Sequence, residues 1–454
     1  MRRSLLTLSI LLGLAAPAFA AGAETQAQQI AALEARVKAL EASIAQLTQS
    51  QVPAAARLTS ADGESELDPD ATETSTAAAD SLSEGVDAVA PTANDGAGNA
   101  NAFNPAISII LNGQYARHSL LPDSYSRAGF PLTGEAGPGA QGLSLGESEI
   151  AFATNIDEKF YGQLTLAIGS ENGEDSLGVE EAYIDTTALP AGFTLRAGRF
   201  FSNLGYLNNH HAHTDKFSDR PLPYQAFLGN QYGDDGVQLR WVAPTNLFVE
   251  LGGEVFRGQN YPSGGAGNNG TGVGTLFAHF GGDVGVESSW LAGVSVLHSD
   301  TRGGEDGFTG SNKLYVADAT WKWAPGGNTK DGGVQVRGEY FVDKRDGEYV
   351  DPVTPAFDQP WVGTRRGAYI EGVYRINRNW ETGYRYDRLW ADDSGPYASN
   401  YDPFRNTMML TWRNSEFSLV RLQLSQDHPN AVDKDNVLTL QYQTALGAHG
   451  AHKF

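Results

Sequence analysis

From Phe103 to the C-terminus, apolar and polar or small side chains alternate in stretches of about ten residues, and the gaps between stretches are alternately short and long. Phe160, Gly162, Leu164, Leu166 and Ile168 interleave with Tyr161, Gln163, Thr165 and Ala167. Val334, Val336, Gly338, Tyr340 and Val342 interleave with Gln335, Arg337, Glu339, Phe341 and Asp343. A period of two with one apolar face marks a strand whose faces meet different environments. Short gaps fall at 157–158, 188–192, 243–246, 284–287, 325–332, 376–379 and 413–416, and long ones at 118–144, 170–178, 202–233, 258–273, 300–313, 344–364, 392–404 and 428–435. Seven short and eight long connections join 16 strands. An even count with turns short on one side and long on the other predicts an all-β fold, a 16-stranded antiparallel transmembrane β-barrel over 103–454. Closure pairs every backbone group without leaving an edge in lipid. A soluble all-β protein would also show alternation, but the loop asymmetry and the aromatics near strand ends (Trp241, Phe248, Trp290, Trp321, Trp323, Trp380, Trp412 and Phe417) match an interfacial girdle.

The N-terminal hundred residues read differently. Met1-Arg2-Arg3, an apolar run from Leu5 to Leu14 and Ala18-Phe19-Ala20 form an export signal over 1–20, too short for the ~20 apolar residues of a membrane helix. Ile30, Leu33, Val37, Leu40, Ile44 and Leu47 repeat at spacings of three and four, which predicts a periplasmic coiled coil over 24–50, closed by Pro53. Residues 51–102 are dominated by Ala, Ser, Thr, Asp, Glu, Gly and Pro, too little apolar surface to offset ordering entropy, and read as a flexible acidic linker.

Charge and composition narrow the function. With 54 Asp and Glu against 32 Lys and Arg, the chain carries −22, which excludes a nucleic-acid binder that needs a basic face. The barrel segment alone carries 27 basic and 41 acidic residues, a net −14 that favours cations, since anion pores need inward Arg and Lys. Having no Cys removes thiol catalysis, disulfides, Cys-type zinc sites and a lipid anchor together. No spacing singles out a catalytic constellation, so the chain reads as no enzyme. Gly264-Gly265-Ala266-Gly267 lies in a loop and not between strand and helix, so it is no phosphate cradle.

With the N-terminus in the periplasm, the long loops face outward, and the third of them, 202–233, is the longest. It holds His210, His211, His213 and Asp215. Imidazoles beside a carboxylate suit Zn²⁺ or a similar ion, and alternation puts His211 and His213 on one side of an extended segment. The alternative is a solvated, hydrogen-bonding lining that binds no metal. His449 and His452 form a second, weaker candidate at the tail. Lys216, Asp219, Arg220, Asp234 and Asp235 are candidates for the charged rim of a constriction, or else loop charges in open water.

The run Glu180-Glu181-Ala182-Tyr183-Ile184, followed by Leu189-Pro190 and Leu195-Arg196-Ala197-Gly198-Arg199-Phe200, resembles the phosphate-selective porin O/P group of Gram-negative outer membranes, over roughly 103–454. The heptads, the Asn104-Pro105-Ala106-Ile107-Ser108 start and the Gly447-Ala448-His449-Gly450-Ala451-His452-Lys453-Phe454 ending also resemble exported coiled-coil-bearing proteins, some labelled zinc-regulated TonB-dependent receptors. Such receptors need a globular plug and about 22 strands, and neither fits this chain. The resemblance implies an outer-membrane porin for passive diffusion of small solutes or ions, embedded in outer-membrane lipid as a homotrimer. Its third loop would fold inward as the constriction, and a zinc uptake receptor is the alternative. It implies no required cofactor, recognition of Phe454 by the barrel assembly machinery, and a coiled coil reaching toward peptidoglycan or periplasmic partners.

Overall fold

The computed structural model describes Lys38 and residues 105–447, apart from 172–173, 265–269, 331, 351–358, 392–394 and 398. The export signal, the linker, all of the coiled coil except Lys38, and the tail with His449, His452 and Phe454 lie outside the described residues.

The strands are β1 (Ala106–Arg117), β2 (Gly142–Leu145), β3 (Ser148–Asn155), β4 (Phe160–Glu171), β5 (Glu174–Thr186), β6 (Phe193–Phe201), β7 (Gly233–Val242), β8 (Phe248–Phe256) and β9 (Val273–Val284). They continue as β10 (Ser288–Thr301), β11 (Phe308–Trp323), β12 (Gly333–Tyr349), β13 (Gln359–Arg375), β14 (Trp380–Ala391), β15 (Phe404–Ser415), β16 (Ser418–His428) and β17 (Asp435–Gly447). From β3 on, each pairs antiparallel with the next, and β1 closes on β17 from Ser108 opposite Gly447 to Arg117 opposite Leu438. β2 and β3 both pair with β1 and are halves of one strand broken at Gly146-Glu147. Seventeen segments therefore make 16 staves, the number the loop rhythm predicts.

The sheet is inverted relative to a water-soluble protein. Its outer face is apolar: Leu195, Val237, Leu239, Leu276, Val362, Ile370 and Met408 are all exposed. Inward positions are polar and buried, Arg337, Glu339 and Asp343 on β12 among them. That is the arrangement of a sheet standing in lipid around an aqueous lumen. Phe193 with Trp241 (6.2 Å) and Trp380 with Trp412 (6.4 Å) pair at the short-turn end, where a girdle belongs.

Three of the expected long loops are shorter than the polarity suggests. β4 and β5 run to Glu171 and from Glu174, and β11, β12 and β13 extend through much of 300–313 and 344–364. Crossing a bilayer takes only ~9–11 residues, so these strands continue beyond the lipid, where outward Lys344 and Asp346 are exposed, inward Arg345 is buried against Asp306 and Asp343, and all three stay paired in the ladder.

The hydrophobic core lies inside the barrel, and the segment between β6 and β7 supplies much of it. This segment contains α1 (Leu222–Leu228), every residue of which is buried. Leu222, Tyr224 and Phe227 pack with Phe130, Phe341 and Leu389 of the surrounding wall and loops. Gly229 ends the helix in the left-handed conformation (φ 60°), where a Cβ would be strained.

Candidate functional site

The 202–232 segment folds into the lumen and is tied to the wall along its length. At its start, Ser202 Oγ donates to Glu254 Oε2 (2.5 Å) and the Asn203 amide to Glu254 Oε1 (2.9 Å). Glu339 then accepts from the Tyr206 amide (3.1 Å), the Leu207 amide (3.3 Å) and the hydroxyls of Tyr224 (2.9 Å) and Tyr369 (2.6 Å). Gly205 is required at this point: its φ is +66° and a Cβ would sit 2.3 Å from Glu339 Oε2. Farther along, Gln443 donates to His213 O (3.1 Å), Arg421 to Asp215 O (2.8 Å), Arg385 to Asp219 O (2.7 Å) and Arg405 to Arg220 O (2.7 Å). Anchors on β8, β12, β14, β15, β16 and β17 carry the chain across the lumen.

The lumen walls differ in charge. Arg337 pairs with Glu371 (3.1 Å), Arg365 with Asp343 (2.8 Å), and Arg385 and Arg405 both with Asp387 (3.1 Å each), while Arg421 reaches Gln441 and a backbone carbonyl. This arginine-rich arc spans β12 to β16. The facing arc, from β3 through β5 to β8, presents Glu149, Glu181, Glu250 and Glu254, all buried. β5 and β13 stand eight staves apart and so face each other across the ring. Opposed arcs of unlike charge impose a transverse field on whatever passes.

Of the five constriction candidates, four lie inside the barrel. Lys216 Nζ approaches Glu381 Oε2 at 3.8 Å, Asp219 pairs with Arg385 (3.1 Å) and Arg405 (2.8 Å), and Arg220 pairs with Asp215 (3.1 Å). Asp234 is buried and accepts the amides of Gly258 (2.8 Å) and Gln259 (2.7 Å). Asp235 does not belong with them. It follows Asp234 on β7, so alternation turns it to the outer face with Val237 and Leu239, where it pairs with Arg199 (2.8 Å).

Burial lowers the Lys216 ammonium to about 8; Glu381 opposes the shift, and Arg413, Arg375 and Arg421 add to it. Burial would raise Asp219, but Arg385 and Arg405 outweigh it and hold the carboxyl below its ordinary range, ionised at neutral pH.

The histidine motif divides. His210 points away, its Nδ1 2.7 Å from Tyr206 O and its ring stacked on Tyr206, and Asp215 is taken by Arg220. A short 3₁₀ turn over Ala212–Thr214, not an extended segment, places the His211 and His213 rings together at 5.6 Å. They meet glutamates of the barrel wall. His211 Nε2 lies 2.9 Å from Glu181, His211 Nδ1 lies 3.2 Å from Glu149 and 3.3 Å from Glu180, and His213 Nδ1 lies 2.7 Å from Glu149. Burial disfavours the His211 cation, yet Glu149, with Glu180 and Glu181, raises its pKa well above the ordinary value. One ligand atom each of Glu149, His211 and His213 lies within 4.8 Å of the others, and the same holds for Glu147, Glu149, Glu180 and His211. The sequence reading therefore names two of these ligand candidates and misses the glutamates. Two consecutive acids at Glu180-Glu181, inside a strand of period two, were the available signal.

A closed 16-stave barrel whose third long loop folds into a charged lumen is the porin architecture. Solved structures similar to this chain include OprB of Pseudomonas putida (10% identity, 76% of this chain and 94% of that one, TM-score 0.50). Another is the outer membrane channel DcaP of Acinetobacter baumannii (14% identity, 75% and 97%, TM-score 0.49). The likeness to OprB establishes the fold. The chain matches no family model. It belongs to the same family as an uncharacterized protein of Aquifex aeolicus (strain VF5), to which it is 30% identical over 391 residues, 78% of this chain and 80% of that one.

Proposed function

We propose that the protein is a channel of the Gram-negative outer membrane, through which small cationic or neutral solutes diffuse passively past the 202–232 loop. One observation carries the reading: an apolar-faced, closed barrel holds that loop within its lumen, between an arginine-rich and a glutamate-rich arc. The acidic excess of the barrel supports cations over phosphate or other anions as the favoured permeants. A homotrimer, exported through residues 1–20 with its heptads on the periplasmic side, suits the same reading. A TonB-dependent receptor has less support, because the lumen is occupied by a loop of the barrel itself.

The full chain in planar bilayers is expected to give ohmic single-channel steps, with a reversal potential under a salt gradient of the cation-selective sign. Silent bilayers at high protein density would refute the channel, and an anion-selective sign would refute the charge argument. Lys216 makes a sharper expectation. Its pKa lies below the ordinary 10.5, so it is charged below about 8 and loses that charge as pH rises through it. Cation preference should therefore increase across pH 8, and Lys216→Met should be cation-preferring at both ends of the range, without the step. A step of full size in the variant would assign the titration to another group.

A further inference from the structure

We infer that the point where the lumen loop meets β3 and β5 is a binding site for one first-row divalent transition-metal ion, held by Glu149, His211 and His213, with Glu147 and Glu180 beside Glu149 and His211. Irregularities in the barrel ladder supply the first argument. Along β4 and β5, Thr165 pairs with Glu181 but Leu166 with Val179, which leaves Glu180 as the extra residue of a bulge. On the neighbouring side of the barrel, Gly113 pairs with Leu145 but Ile110 with Glu149, so one extra residue sits at the Gly146-Glu147 break. In a regular strand Glu180 and Glu181 would point to opposite faces; the bulge turns both carboxylates toward His211. Bulges re-aim side chains at functional sites, and here two of them, on different staves, converge on one pair of imidazoles.

The unsatisfied atoms supply the second argument. His211 is 7% exposed, and its Nδ1 meets Glu149 (3.2 Å) and Glu180 (3.3 Å) as ion-pair contacts outside regular hydrogen-bond geometry. Glu147 Oε1 is buried without a hydrogen bond, and Glu180 Oε2 has only that 3.3 Å contact with His211. The other ring nitrogen, Nε2, is 2.9 Å from Glu181. With Nε2–H donating to Glu181, an ion that displaces the Nδ1 proton would find the Nδ1 lone pair directed at Glu149 and Glu180, the carboxylate–histidine–metal relay of protein metal centres. Asp343, Asp387 and Glu371 in the opposite arc pair with arginine, whereas the ion-pair partners of Glu149, Glu180 and Glu181 are His211 and His213, a histidine pairing that Glu250 shares with His279. Two imidazoles with carboxylates select Zn²⁺, Co²⁺ and their neighbours over Ca²⁺ and Mg²⁺, which prefer all-oxygen shells.

The site depends on the loop lying in the lumen but not on conduction, so binding and channel activity are separable. The test uses the full chain in detergent, without a polyhistidine tag, in a His449→Ala/His452→Ala background that removes the tail imidazoles. Titration with Zn²⁺ by calorimetry, and with Co²⁺ by its visible absorption, is expected to show one high-affinity ion per chain with bands of nitrogen and oxygen ligation. Glu149→Gln and His211→Ala should each abolish that ion. Glu181→Gln, which touches only the outer nitrogen, should weaken it about 10- to 100-fold. Folding of each variant is verified by the mobility of the unheated barrel on a gel. No stoichiometric binding by the parent, or equal binding by a folded His211→Ala chain, overturns the inference. Conductance recorded in chelator tests the channel separately.

Discussion

A chain in which residues 202–232 are replaced by a two-residue Asn-Gly turn will conduct severalfold more current per channel than the parent. Phe201 and Gly233 are direct partners across β6 and β7, so their strand ends are already at hairpin distance and a tight turn can join them. The loop contributes no strand to the ladder, whose 16 staves close without it. Its removal clears α1 and the crossing segment from the lumen. It also exposes Glu254, Glu339, Arg385 and Arg405 to entering water, which resolvates charges that the loop now satisfies. The variant should therefore keep its barrel mobility on unheated gels while ion selectivity weakens, because the opposed charges lie farther from the permeant. Unchanged conductance in a folded barrel would show that the narrowest point lies elsewhere. The shortened chain should also lose the metal-dependent signal.

Phe227→Ala is expected to release the loop without removing it. Phe227 is 1% exposed, edge-on to Phe130 (5.7 Å), stacked on Phe341 (5.9 Å) and near the Arg365 guanidinium (6.0 Å). Truncating such a ring costs about 3–5 kcal/mol. α1 has seven residues, too few to hold a helix without tertiary contacts, so the cost falls on the loop's closed position before it falls on the barrel. Backbone hydrogen exchange over 206–229 should accelerate by about two to three and a half orders of magnitude, the equivalent of that energy at ~1.4 kcal/mol per tenfold. Exchange in β9 to β13 should stay slow, and single-channel records should become noisy as the loop visits open positions. Acceleration spread evenly over loop and ladder would mean that the loop and the staves open as one unit.

The strand rhythm was legible because a membrane barrel imposes a local rule. Each strand must present lipid-compatible residues at every second position, and Val334 to Asp343 shows this without any knowledge of its partners. Turn lengths made the count of 16 legible in the same way. Polarity misled where strands outgrow the bilayer, as at Lys344 to Asp346, since water outside and buried ion pairs inside make both faces polar, which erases the alternation but not the pairing. Within the candidate constriction, composition pointed to the loop and its charges, yet alternation after Asp234 sends Asp235 outward, and only the register of β6 with β7 reveals it.

The histidine motif marks the boundary between the two kinds of information. That His210, His211 and His213 lie together is a property of the chain; that His210 turns to Tyr206 while the other two meet Glu149 and Glu181 is a property of the closed barrel. A two-faced, even-stranded barrel with one long, charged, histidine-bearing loop is readable from the chain alone, because lipid and water act on neighbouring residues at a period of two. Which charges oppose each other and which glutamates surround His211 follow from the closed fold. Those contacts join residues 30 to 206 positions apart, and ring closure, a bulge at Glu180, a break at Gly146-Glu147 and the packing of α1 set them, none of which a local period contains.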